Sequence, residues 1–108
     1  MHLVLPRLEG GELFARIRTK SSYSEKTAIT VMRNVLSALK YLHSKNIVHR
    51  DLKPENLILR TKGDDEDVVI ADFGLAAMMP VNGQLLKMRC GSPGYAAPEL
   101  LTDSGYDM

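Results

Sequence analysis

The stretch from Ile47 to Leu59, IVHRDLKPENLIL, decides how this chain is read. Ile47 and Val48 begin a short apolar strand, a polar loop follows from His49 to Asn56, and Leu57 to Leu59 resume an apolar strand. The loop carries a carboxylate, Asp51, an ammonium, Lys53, and a carboxamide, Asn56. A second carboxylate, Asp72, follows a second apolar run, Val68 to Ala71, within Ala71-Asp72-Phe73-Gly74, where Gly74 lets the backbone turn. Ala97-Pro98-Glu99 closes the pattern. Moving a phosphoryl group onto an alcohol needs a carboxylate to orient the hydroxyl, oxygen donors for magnesium and a cation to steady the group in transit. Asp51, the pair Asn56 and Asp72, and Lys53 are residue types suited to those tasks.

The order H-R-D-x-x-x-x-N, then D-F-G, then A-P-E resembles the protein kinases. With GGELF and CGSPGYAAPELL added, the likeness runs along nearly the whole chain and is greatest to the calcium/calmodulin-dependent group. It implies an α+β, protein-kinase-like fold, here a segment running from the hinge through the activation segment, mostly helical with a short β-hairpin. Residues 1–11 would be the hinge region and 12–60 the C-lobe helices and catalytic loop. Residues 61–108 would hold the metal-binding motif, the activation segment and the APE motif. The implied chemistry is transfer of the γ-phosphate of ATP, with Mg2+, to a serine or threonine of a protein. Lys53, two places after Asp51, resembles the serine/threonine class rather than the tyrosine class.

The resemblance also assigns residues. Asp51 and Lys53 would be catalytic, and Asn56 and Asp72 would hold the metal. The Pro6 carbonyl and Leu8 amide would meet the adenine edge, and Leu5 would guard the back of that pocket. Since the family uses no N–H at Pro6, proline loses nothing there. Glu12 would reach the ribose and a basic residue of the substrate, although a glutamate near a helix start also complements the helix dipole. Glu55 is a second candidate for a basic substrate residue, the alternative being a solvated loop carboxylate. Ser92 would hydrogen-bond near Asp51 and Lys53, and Glu99 belongs to the APE motif. His49 is expected to hold the loop backbone without taking part in proton transfer.

Bulk properties agree with an ordinary protein interior and exclude little else. At 108 residues the chain forms at most one small domain, whereas a complete kinase has two lobes, so a partial domain is expected. Hydrophobic residues make up 44% and charged residues 25%, enough apolar material to demand burial. A formal net charge of +1 gives no reason to expect nucleic acid or an anionic membrane as partner. The single cysteine, Cys90, cannot pair internally, which suits a reducing, intracellular setting, cytoplasmic or nuclear. No secretory leader or membrane-spanning run is recognised.

Along the chain, Met1 to Leu5 reads as the end of a strand feeding the connector Pro6 to Gly11. A short helix is predicted over Glu12 to Ile17. Ser24 can cap a long helix to about Ser44, with Ala28, Met32, Val35, Leu39 and Leu42 as its core stripe and Ile29 and Leu36 widening it. Lys45-Asn46 ends it, asparagine tolerating a left-handed turn. Leu57 to Leu59 and Val68 to Ala71 read as two buried strands joined by RTKGDDED, whose acidic run lacks the calcium-loop pattern and reads as a solvated tip. Phe73 is expected to pack, and Cys90 to pack rather than react.

Leu75 to Arg89, LAAMMPVNGQLLKMR, contains no Ser, Thr, Tyr, Asp or Glu. In the family, Arg50 marks enzymes whose arginine can grip a phosphate on this loop, and Met88 stands where several relatives have a phosphorylatable threonine. Arg50 cannot gain such a bond here. Control by calmodulin or by an inhibitory segment outside these residues is expected instead. The Gly-rich phosphate loop, the strand lysine and its helix glutamate are not in the sequence, so this polypeptide alone is expected to be inactive. A short form or pseudokinase-like binding module stays open as an alternative. A small-molecule phosphotransferase is disfavoured by Lys53, Phe73-Gly74 and Ala97-Pro98-Glu99.

Overall fold

The computed structural model describes residues 1–102 and 104–108. Two short apolar runs make the centre of the fold. Leu57–Leu59 (β3) and Val68–Ile70 (β4) pair antiparallel, with Leu57 opposite Ile70 and Leu59 opposite Val68. Gly11–Glu12 (β1) adds to the other edge of β3, giving a three-stranded sheet in the order β1-β3-β4. The hairpin expected from sequence is therefore widened by a strand that two glycines concealed.

The two helices lie on this sheet. Leu13–Thr19 (α1) starts one residue later and ends two later than predicted, with Glu12 as its N-cap. Glu25–Ser44 (α2) begins where predicted: the Ser24 hydroxyl accepts from the Thr27 amide at 3.1 Å. It ends at Lys45 and Asn46, the latter at φ 56°. Leu13, Val31, Val35, Leu59, Val68 and Ile70 form the buried cluster, with Ile17, Tyr23, Ala38, Leu39 and Leu57 packed around it. Leu59, at 0% exposure, is its centre.

Of the stripe predicted for α2, Val35 and Leu42 are buried and Leu39 packs against the core, while its first half is corrected by one residue. Val31, Val35 and Leu42 are buried, whereas Ile29, Met32 and Leu36 are 46%, 57% and 56% exposed, and Ala28 is exposed as well. The apolar arc of this helix is broader than one small sheet can cover, and contact with β4 selects the Val31 side. The Asn34 amide, donating to the Glu66 carbonyl at 2.8 Å, holds the helix at that rotation.

Three further differences follow from pairing. Met1 to Leu5 forms no strand, and Met1, Leu3, Val4 and Leu5 are all exposed, because no described strand lies alongside to complete a ladder. Ala77–Met78 (β5), within the stretch Leu75 to Arg89, pairs antiparallel with Ile47–Val48 (β2). The acidic tip is anchored rather than merely solvated. Asp65 takes an ion pair from Arg16 at 2.7 Å and another from Lys20, while Asp64 Oδ1 accepts from the amides of Glu66 and Asp67.

Gly10 sits where a side chain cannot. A Cβ there would lie 2.4 Å from the Leu59 Cβ and 2.5 Å from its carbonyl. That close approach lets the Gly10 amide donate to Leu59 O at 3.0 Å, beside a Glu9 bond to Arg60 O, so the connector is pinned to β3.

Candidate active site

β2 and β3 hold the two ends of the loop His49 to Asn56, whose His49 and Asn56 side chains are buried. His49, 3% exposed, is fixed through both ring nitrogens. The Asp51 amide donates to Nδ1 at 3.2 Å, so Nε2 carries the proton and donates to the Ala71 carbonyl at 2.9 Å. With both nitrogens committed to backbone, His49 joins the loop to the end of β4. Its ring meets Phe73 edge-on at 4.9 Å, although Phe73 itself is 46% exposed and packs less than predicted.

Asp51 is the hub of the loop. Its Oδ1 accepts from the Ser92 hydroxyl at 2.7 Å; the same hydroxyl accepts from Lys53 Nζ at 2.7 Å. Lys53 Nζ also lies 3.5 Å from Asp51 Oδ2. Asn56, 6% exposed, donates from Nδ2 to the Asp51 carbonyl at 2.8 Å and to its Oδ2 at 3.4 Å. The Ser92 hydrogen bond is the main influence holding the Asp51 carboxyl below the usual carboxylate range. Partial burial opposes it, and Lys53 and Asn56 add to it. Asp51 is thus a carboxylate at neutral pH, a weak base whose value lies in orientation.

The far side of the site is built by one backbone bond. The Ala71 amide donates to the Asn56 carbonyl at 2.8 Å, extending the β3–β4 ladder and bringing Asp72 alongside the catalytic loop. Asp72 sits at φ 61°, its Oδ1 accepting from the Gly74 amide at 3.1 Å. Arg50 is also left-handed, at φ 67°. Such a conformation costs a non-glycine residue roughly 1–2 kcal/mol, so two of the three non-glycine examples among the described residues stand at the site at that expense.

Asn56 and Asp72 fit a hard divalent cation. With the Asn56 nitrogen committed to Asp51, its carboxamide oxygen is left as a donor, and Asp72, next in sequence to the Ala71 that bonds the Asn56 carbonyl, presents an exposed carboxylate. Among the described residues no group of three or more His, Cys, Asp or Glu could cage an ion. A carboxamide oxygen and a carboxylate are hard oxygen donors of the kind magnesium takes, water and phosphate completing its shell.

Two cavities border these residues, one at Asp72 and the other at Asp51 and Ser92. One, of about 710 Å³, is lined by Leu3, Leu5, Pro6, Leu8, Val69 and Asp72 among others, and its walls are chiefly apolar. The other, about 270 Å³, is bordered by Asp51, Ser92, Gly91 and Tyr95. Pro6 and Leu8 thus line a cleft together with Asp72. Glu12 and Glu55 are exposed and line neither cavity. Glu99 is exposed at the rim of a smaller pocket with Val48, Arg50 and Tyr106.

Arg50 makes contacts that were not foreseen. Its Nε donates to the Leu75 carbonyl at 2.5 Å, and its Nη1 lies 3.4 Å from the Tyr106 hydroxyl. Tyr106 carries no motif, and it reaches this position only because the chain returns on itself.

A helical region with small antiparallel sheets, carrying this cluster between two clefts, defines a piece of a protein kinase domain. The protein kinase domain family model matches residues 1–108, and the chain belongs to that family. It is 50% identical to myosin light chain kinase A of Dictyostelium discoideum over 99% of its own length and 36% of that protein. It is 50% identical to the calcium/calmodulin-dependent protein kinase cmkB of Emericella nidulans, covering 98% of this chain and 26% of the relative. With human calcium/calmodulin-dependent protein kinase type 1B the identity is 47%, over 98% and 30% respectively. The chain therefore spans about a third of the length of these curated relatives. Among the described residues no helix is long and apolar enough to cross a membrane.

Proposed function

We propose that this chain supplies the catalytic loop, metal-binding residues and activation segment of a protein serine/threonine kinase that uses ATP and Mg2+. The observation that carries this reading is the hydrogen-bonded group Ser92, Asp51, Lys53 and Asn56, set beside Asp72 between two clefts. The apolar cleft at Leu5, Pro6 and Leu8 suits the adenine ring, and the cavity at Asp51 and Ser92 suits the acceptor.

In this mechanism the acceptor hydroxyl donates to Asp51, which orients it toward the γ-phosphorus. The new bond forms between that oxygen and phosphorus while the bond to the β–γ bridging oxygen breaks, ADP leaves, and the hydroxyl proton passes to Asp51. Lys53 offsets charge on the moving phosphoryl group. Asn56 and Asp72 would hold magnesium, which neutralises charge on the phosphates when bound. Ser92 keeps Asp51 and Lys53 in register. Glu12 and Glu55 are proposed to favour a basic residue upstream of the acceptor, and Glu99 to anchor the end of the activation segment. Regulation by calmodulin is proposed because relatives are named calcium/calmodulin-dependent; control by an inhibitory segment outside these residues is proposed because Leu75 to Arg89 offers no residue to phosphorylate.

The test is a split between turnover and binding in the full-length protein. Asp51→Asn is expected to lower kcat by about 10²–10⁴-fold with little change in nucleotide affinity. Asp72→Asn is expected to weaken magnesium-dependent nucleotide binding itself. Equal loss of binding in both variants would contradict the assignment.

A further inference from the structure

The segment Leu75 to Arg89 has no anion of its own and no hydroxyl that could carry a phosphate ester. It is nevertheless tied to the catalytic loop near both ends. At one end Arg50, adjacent to Asp51, donates to the Leu75 carbonyl at 2.5 Å. At the other, Tyr106 pairs its backbone with Leu86 in both directions, at 2.8 and 2.9 Å, and its hydroxyl donates to the Met88 carbonyl at 2.6 Å. The same oxygen faces Arg50 Nη1 at 3.4 Å. A phenol has one proton to give and lone pairs to receive, and here both capacities are turned toward the segment and the loop. Gly105 makes the approach possible: it sits at φ 80°, and a Cβ there would lie 2.8 Å from the Leu85 Cβ.

We propose that Tyr106 is a positioning residue whose hydroxyl completes a bridge from Arg50 to Met88, holding the activation segment on the catalytic loop without a phosphate on that segment. The proposal rests on the kinase reading above and adds to it a phosphate-free means of ordering the site. The bridge needs the hydroxyl, whereas the pairing with Leu86 needs only backbone. Tyr106→Phe therefore removes the one and spares the other.

The experiment uses the full-length protein and two readouts. Trypsin cleavage after Lys87 and Arg89 reports opening of the segment, since cleavage follows the population of the open form when reclosing is fast. Loss of a hydrogen bond to a charged partner is expected to speed that cleavage about tenfold and to lower kcat for a peptide substrate by a similar factor, with KM for ATP little changed. Arg50→Lys, which loses the guanidinium fork, is expected to speed cleavage likewise, and Tyr106→Phe added to it to contribute little more, because the two act through one bridge. Unchanged cleavage in Tyr106→Phe, or fully additive effects in the double variant, would overturn the proposal. Should Tyr106→Phe fail to fold, Tyr106→Leu, which also lacks the hydroxyl and keeps the backbone pairing, is read in its place: faster cleavage supports the bridge and unchanged cleavage overturns it. A wild-type protein that transfers no phosphate, yet shows the cleavage difference, would remove the kinase reading and leave the bridge standing.

Discussion

Asp51 is a carboxylate whose behaviour is set by a residue 41 positions away, Ser92, which donates to its Oδ1 at 2.7 Å. Because that bond is the leading reason its carboxyl titrates low, removing it has a definite sign. Ser92→Ala is expected to raise the Asp51 pKa and move the acidic limb of the kcat/KM profile to higher pH, read directly from initial rates between pH 4 and 8. For folding, a depressed carboxyl contributes stability that is present above its unfolded value and disappears as pH falls through its lower folded value. Ser92→Ala should therefore reduce this acid-sensitive contribution, seen as less pH dependence of denaturant midpoints below pH 5. The types and order of Asp51, Lys53, Asn56 and Asp72 were legible in the sequence because the chemistry demands particular functional groups at close spacing. Which oxygen of Asp51 meets Ser92, and the left-handed backbone at Arg50 and Asp72, were not, since both depend on contacts far apart in the chain.

The long helix shows where periodic reading succeeds and where it fails. Its start was readable from Ser24, and Ser24→Ala is expected to cost about 1 kcal/mol in a denaturant titration of the full-length protein. Its buried face was readable only in part, at Val35, Leu39 and Leu42, because a sequence stripe gives an angular range while a neighbouring sheet chooses the line within it. Val31 is buried and Met32 exposed for that reason. The connector before it obeys a steric rule instead. Gly10→Ala must push against Leu59 and Thr61 backbone, so a thermal scan should show a lowered Tm, whereas Gly63→Ala, where a Cβ meets nothing, should leave it unchanged. β1 and β5 escaped notice since two-residue strands of Gly-Glu and Ala-Met carry no propensity signal; their ladders exist only once β3 and β2 are in place.

Across the molecule, the sheet and helices share one core centred on Leu59, and Leu59→Ala is expected to destabilise the fold by about 2–5 kcal/mol, measurable as a shift in denaturant midpoint. That core fixes the end of β4, the end of β4 places Asp72, and the bond from Ala71 to Asn56 brings the two sides of the site together. The acidic hairpin contributes by its tie to α1 through Asp65 and Arg16. Family, the presence of residue types suited to phosphoryl transfer and the absence of any Ser, Thr or Tyr between Leu75 and Arg89 were determined by the sequence alone, because these are matters of residue identity and spacing. The rotation of α2, the bridge through Tyr106 and the two clefts were decided only by tertiary structure, because each arises where distant segments compete for the same surface or supply one another's missing hydrogen-bond partners.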